Sequence, residues 1–132
     1  MQGTDISTFT GTSAGLIKLT GVNTQNEYTA IDFSSTQTAF ASNPLARIAM
    51  QVTSAGTKLH FGTSNSYASG ITNTAMTIDP TGLVGIATTT PQWALTATNS
   101  TKPQLALGYD GLNAWTFRNA GGTLYIATST YS

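Results

Sequence analysis

Apolar and polar side chains alternate with a period of two along much of the chain. Ile31-Asp32-Phe33, Leu59-His60-Phe61, Met76-Thr77-Ile78 and Val84-Gly85-Ile86 all read this way. That period places every second side chain on one face of a β-strand. It predicts strands at 28–33, 46–52, 75–78, 83–86, 93–97, 104–108 and 115–118. One phrase recurs: a small residue and a Gly make a turn, apolar residues alternate, and Thr or Ser follows. It begins at Ser13-Ala14-Gly15, Ser54-Ala55-Gly56, Pro80-Thr81-Gly82 and Asn119-Ala120-Gly121-Gly122. The last reads as a hairpin turn leading into a strand. Taking Gly15, Gly56, Gly82 and Gly122, the spacings are 41, 26 and 40 residues, which is no fixed period. Hairpins with loops of variable length therefore fit better than a strict solenoid.

The clearest hairpin places Asp79-Pro80-Thr81-Gly82 between two alternating segments. Asp at the first turn position, Pro at the second and Gly at the fourth is the type I preference. Pro80 presets its own φ, and the Asp79 carboxylate can accept a backbone N–H. Met76 and Ile78 share one face, as do Val84 and Ile86, so a register slip by one residue would turn both pairs over. Residues 63–74 read as a polar loop. Residues 39–44 are the one stretch with a helical turn in prospect, closed by Asn43-Pro44, because the residue before Pro avoids the α region.

Composition strengthens the β reading and adds a question about stability. Of 132 residues 26 are Thr and 12 are Ser, against a single Glu and three Lys. Thr is β-branched and favours strands, whereas Glu and Lys favour helices. Leu, Ile, Val and Phe total only 26, close to the level of roughly 20% below which chains stay disordered. Disorder also calls for high net charge, and here five basic and five acidic residues cancel. A neutral chain with so little to bury is expected to stack on itself or to share a core with further copies.

The same inventory removes several function classes. A balanced charge provides no basic patch for nucleic acid. No apolar run approaches the roughly 20 residues that a membrane helix needs. The opening Met1-Gln2-Gly3-Thr4-Asp5 lacks the charged and apolar parts of a signal peptide. With no Cys, neither disulfides nor thiolate metal sites contribute.

One segment resembles a known family. Met76-Thr77-Ile78-Asp79-Pro80-Thr81-Gly82-Leu83-Val84-Gly85-Ile86-Ala87-Thr88-Thr89-Thr90-Pro91 is similar to a phrase of bacteriophage tail fibres, tail spikes and related bacterial surface-fibre stalks. Arg47-Ile48-Ala49 and Gly56-Thr57-Lys58-Leu59-His60-Phe61-Gly62-Thr63-Ser64 resemble the segment that leads into it. Residues 104–110 and 115–118 are similar in style to further stalk segments. The resemblance implies an elongated, intertwined trimeric β-rod, ahead of a receptor-binding tip or a self-cleaving chaperone domain. Ala87 stands where the family usually has Gly, implying a position that does without a positive φ. Leu83 stands where a polar residue is common.

Candidate chemistry is sparse. The carboxylates are Asp5, Glu27, Asp32, Asp79 and Asp110. Asp79 and Asp110 occupy turn contexts, and no two acids suggest the convergent pair that a glycosidase needs. His60, the sole histidine, shares a strand face with Lys58. A cation there disfavours a metal on the imidazole, so His60 is expected to face solvent. No Ser-His-acid triad and no phosphate-binding Gly loop can be argued. Asn99-Ser100-Thr101 matches a glycosylation acceptor in a chain rich enough in Asn, Ser and Thr for chance matches. The aromatics Trp93, Tyr109, Trp115, Tyr125 and Tyr131 fall in the last third. Exposed, they could stack on sugars or anchor a partner; buried, they would fill a thin core or subunit interface.

These observations lead to an all-β protein of short strands and hairpins, one segment over 1–132, with no catalytic residue, cofactor or metal. The expected form is a homotrimeric β-rod with Ile, Leu, Met and Phe inward and Thr and Ser outward; a β-sandwich or irregular β-solenoid is the alternative. The expected function is a structural segment of a viral tail fibre or bacterial surface fibre, located on a virion or cell surface, that spaces and orients a distal element. Its partner would be itself, with no nucleic acid and no membrane insertion. The alternatives are an adhesin module binding a cell-surface glycan or receptor through Trp93, Tyr109, Trp115 and Tyr125, and a filament-forming surface or sheath protein. Asp79, Pro80 and Gly82 are the structural turn residues in every version.

Overall fold

Nine strands in two sheets make up the computed structural model, which describes residues 19–21, 24–34, 43–108 and 113–130. The strands are β1 (Tyr28–Ser34), β2 (Pro44–Thr53), β3 (Gly56–Thr63), β4 (Asn73–Ile78), β5 (Val84–Ile86), β6 (Leu95–Ala97), β7 (Leu105–Gly108), β8 (Asn113–Ala120) and β9 (Thr123–Thr130). The protein is all-β, with no helix among the described residues. Strands follow one another across each sheet in chain order, β1 to β6 in the first and β7 to β9 in the second. Every pairing is antiparallel except β5 with β6, which run parallel. Among the described residues the strands run largely as a meander and form no repeating coil.

The predicted hairpin between β4 and β5 forms in the expected register, with Met76 opposite Ile86 and Ile78 opposite Val84. Its turn closes through Gly82 N–H donating to the Asp79 carbonyl at 3.0 Å. Asp79 Oδ1 accepts from the backbone N–H groups of Thr81 and Leu83, both at 2.9 Å, and from the Thr81 hydroxyl. Desolvation is the largest single influence on the Asp79 carboxyl and pushes its pKa up, but the bonds from Thr81 and Leu83 together with the Lys58 charge outweigh it and hold the pKa below its ordinary value. Gly82 takes a φ of 86°, which a side chain would resist. At the β8–β9 hairpin Gly121 and Gly122 both have positive φ, the requirement of a two-residue type I′ turn.

Some expectations change. The strand predicted at 93–97 is shorter, beginning at Leu95, because the backbone N–H groups of Gln92 and Trp93 turn onto Thr96 Oγ1. Pro44 opens β2 instead of closing a helical turn; residues 39–42 lie outside the described residues, as do most of the first recurring phrase, Asp5, Tyr109, Asp110 and Tyr131. Ala87 does not escape the left-handed region: its φ is 55°. Two bonds hold it there, Ala87 N–H to the Ala75 carbonyl at 3.0 Å and the Thr98 hydroxyl to the Ala87 carbonyl at 2.7 Å. The backbone needs this turn to leave β5, and the side chain accepts the strain.

Register decides which face each residue occupies. Cross-strand partners share a face, so Ile31, Ile48, Phe61, Met76, Ile86 and Ala97 form one row across the six strands. Beside it run Met50, Leu59, Ile78, Val84 and Leu95. The opposite face carries Ala30, Ala49, His60, Thr77, Gly85 and Thr96 in its central row.

Burial runs opposite to the usual distribution. The small, polar face is the covered one: Ala49 is 2% exposed and Thr77 fully buried. Residues 64–72 and 87–92 fold over it, with Ile71 against Gly62, Thr88 against Gly85, and Lys58 Nζ donating to the Thr89 carbonyl at 2.8 Å. The apolar face is open, leaving Ile31, Phe33, Met50, Leu59, Ile86 and Leu95 exposed. The second sheet repeats the arrangement. Leu105, Phe117 and Ile126 form one row and Leu107 and Trp115 share that face, while Ala106, Ala114, Thr116 and Ala127 occupy the other. Among the described residues the buried apolar side chains are Ala49, Ala114 and Pro91, none of them large. Within one chain, then, the large apolar side chains expected to point inward are exposed or only half-buried, and the two sheets do not close on each other as a sandwich among the described residues.

Candidate assembly face and polar groove

Two surfaces merit a functional reading. The first is the apolar face of the six-stranded sheet. Its two central rows contain no charged residue. A contiguous exposed apolar area of this kind is uncommon on a monomer and marks an interaction site. Fully burying one Leu, Ile or Phe contributes roughly 1.5–3 kcal/mol, so covering this face would supply what the single chain lacks.

The second lies on the opposite face, over β1, β2 and β3. The pairing sets Tyr28, Gln51 and Lys58 in one row, Ala30, Ala49 and His60 in the next, and Asp32, Arg47 and Gly62 in the third. Ala49 sits at the centre of this grid, with Ala30 and Gly62 also low. Longer polar side chains surround them. Ile71, Thr74 and Thr89 complete the wall of a groove of about 410 Å³.

His60 is half-buried in that wall, not solvent-facing as its spacing suggested. Nδ1 lies 3.0 Å from Thr77 Oγ1 and Nε2 lies 3.1 Å from Gln51 Oε1. The amide oxygen can only accept, so Nε2 carries the proton and a neutral Nδ1 accepts from the Thr77 hydroxyl. The Tyr28 ring packs tilted against the imidazole with centroids 6.0 Å apart. Burial pushes the His60 pKa down, and the Lys58 charge pushes it the same way. Across the groove Arg47 Nε and Nη2 donate to the two Asp32 carboxylate oxygens at 2.6 and 2.8 Å. That bidentate bond lowers the Asp32 pKa and raises that of Arg47, against modest desolvation of each.

Of the predicted aromatic residues, Trp115 and Tyr125 lie on opposite faces of the second sheet. Trp93 is 74% exposed in the connection before β6. Trp115 lies on the apolar face of the second sheet at 57% exposed, and Tyr125, paired opposite Arg118, lies on the other face. Tyr109 lies outside the described residues. Asn99 of the acceptor motif uses Oδ1 to accept from the Thr101 and Lys102 backbone N–H groups, so it organises a local turn. Among the described residues no three His, Asp or Glu side chains group as metal ligands, and no helix is long and apolar enough to cross a membrane.

The polar groove escaped the sequence reading because its parts come from three strands, and only register brings them together. A signal existed in Arg47-x-Ala49-x-Gln51 and Lys58-x-His60-x-Gly62: two strands whose polar positions flank a small one.

The fold and these surfaces define a class: an all-β meander protein whose sheets keep their large apolar side chains uncovered. No protein-family model, curated protein or solved structure matches the chain.

Proposed function

We propose that the protein is a non-enzymatic structural segment of a viral tail fibre or bacterial surface fibre, acting on a virion or cell surface to space and orient a distal element. In this reading three copies bring their apolar faces together around a shared axis, and the small, polar faces turn outward. The observation that carries it is the inverted burial: the described residues bury no apolar side chain larger than that of Pro91, while two sheets hold Leu, Ile, Phe and Trp open. The resemblance of 76–91 to fibre stalks supports the same reading. The uncharged central rows let like chains approach without repulsion. Pairing of the outer strands with a neighbouring copy would also remove exposed sheet edges.

The adhesin reading keeps one supporting observation, the exposure of Trp93, Trp115 and Tyr125, although Trp115 and Tyr125 lie on opposite faces of their sheet. Light scattering on the purified protein tests the main reading. The expected mass is three times the 13.7 kDa of the chain. A stable monomer would sink it, and open-ended assembly in micrographs would favour a sheath-like filament. Separately, Trp93→Ala with Trp115→Ala should leave any glycan or cell binding unchanged if the aromatics only pack.

A further inference from the structure

The groove around Ala49 has the build of a binding site. It is formed within one chain, so its role is independent of whether the protein forms a fibre. Its floor is small: Ala49 and Gly62 have nothing beyond Cβ. Its walls are long and polar. Neighbouring strands lie about 4.8 Å apart and alternate residues about 6.6 Å apart, so from Arg47 to Gln51 the cup spans about 13 Å. A volume of about 410 Å³ exceeds what the internal hydrogen bonds need and falls in the range of small-ligand sites.

The unspent hydrogen-bonding groups say what would fit. Arg47 commits Nε and Nη2 to Asp32 and keeps Nη1. Lys58 makes one bond, to the Thr89 carbonyl, and keeps two N–H groups. Gln51 receives His60 through Oε1 and keeps its Nε2 amide. The remaining groups are mostly donors, two of them on cations, with one carboxylate already paired. That balance favours an anionic ligand. The Tyr28 ring stands half-exposed at the rim, held by its contact with His60. An aromatic face beside fixed polar groups suits a sugar ring, whose C–H face packs on the ring while its hydroxyls bond around it. The Thr74 hydroxyl adds an acceptor for those hydroxyls.

We infer that this groove binds a carboxylate-bearing sugar unit, with Lys58 and Gln51 holding the carboxylate, Tyr28 lying against the ring and Arg47 donating to a ring hydroxyl at the other end. Lys58 and Gln51 occupy one row with Tyr28, which places the charge beside the aromatic face, while Arg47 closes the far end.

Amide chemical-shift titration of the purified protein with methyl β-D-glucuronide tests this. Saturable shifts at Ala49, His60 and Gly62 are expected, with a dissociation constant on the order of millimolar, as for a single small ligand held by a few bonds. Methyl β-D-glucoside, which lacks the carboxylate, should bind at least about tenfold more weakly. Lys58→Gln and Tyr28→Leu should each weaken binding by about fivefold or more. Lys102→Gln, on the segment before β7, should change nothing. The mass by light scattering shows that each variant keeps the assembly of the parent protein, and the two rim variants back one another if either misfolds. Absence of saturable shifts at about 50 mM ligand, equal binding of inorganic phosphate or of the neutral glucoside, or full binding by both rim variants would overturn the assignment.

Discussion

The two faces of the six-stranded sheet come from the same residues in alternation, yet they meet different fates. One carries Ala49, His60, Thr77 and Gly85, and the chain's own connections fold over it. The other carries Ile48, Phe61 and Met76, half-buried among their neighbours, with Ile31, Phe33, Ile86 and Leu95 exposed around them. A connection can settle closely on small side chains, because Gly62 and Gly85 leave room for Ile71 and Thr88. It cannot cover a broad apolar row with Thr, Ser and Asn at comparable gain, because polar groups held against an apolar surface lose water without finding partners. Small residues therefore recruit the chain itself, and large apolar residues wait for another surface.

Placing a charge on the open face should break the comparison most severely. Phe61→Asp puts a carboxylate in the middle of the row that copies would share. The expected result is loss of assembly, read as a monomer mass, at a cost of several kcal/mol per interface, because an unpaired charge is being buried. Filling the space on the covered face comes next. A Cβ on Gly85 would lie 2.5 Å from the Thr88 carbonyl oxygen, so Gly85→Ala must displace the connection and should cost about 1–3 kcal/mol, seen as a lower Tm. Ala87 offers a smaller change of opposite sign. Replacing it with Gly relieves a left-handed φ of 55° and should stabilise by about 1 kcal/mol, raising Tm.

The smallest effect concerns protons on the covered face. His60 is held neutral, with its folded pKa below the unfolded value near 6.5. The unfolded chain then binds more protons in the window between the two values. The stability contributed by the neutral ring is complete above pH 6.5 and is lost as pH falls below it toward the folded pKa. Thermal unfolding between about pH 7 and pH 5 should show a falling Tm, and His60→Gln should flatten that slope. A slope unchanged by the substitution would place its origin elsewhere.

How much was legible in the sequence varies by residue. Asp79-Pro80-Thr81-Gly82 and Gly121-Gly122 were readable because each turn is decided by the φ preferences and short bonds of its own residues. The alternation around Phe61 and Met76 revealed strands and a common face for the same reason. His60 was misplaced because its shelter comes from Thr77, seventeen residues away, and from Gln51 on the neighbouring strand. Ala87 was misread because its φ is imposed by Ala75 and Thr98, neither of them adjacent. Trp93, Trp115 and Tyr125 could be picked out by type but not placed on a common or separate surface, since that depends on strand parity and on where β6 begins.

Local chemistry in the sequence determined that this protein is all-β, where several of its turns fall and that it has little to bury. The tertiary structure decided which face is covered, that β6 runs parallel to β5, and that a central Ala is ringed by Tyr28, Gln51, Lys58, His60, Arg47 and Asp32. The division has a physical cause. A turn is settled by interactions across a few residues, whereas a face is settled by register between strands and by which distant segment can pack upon it.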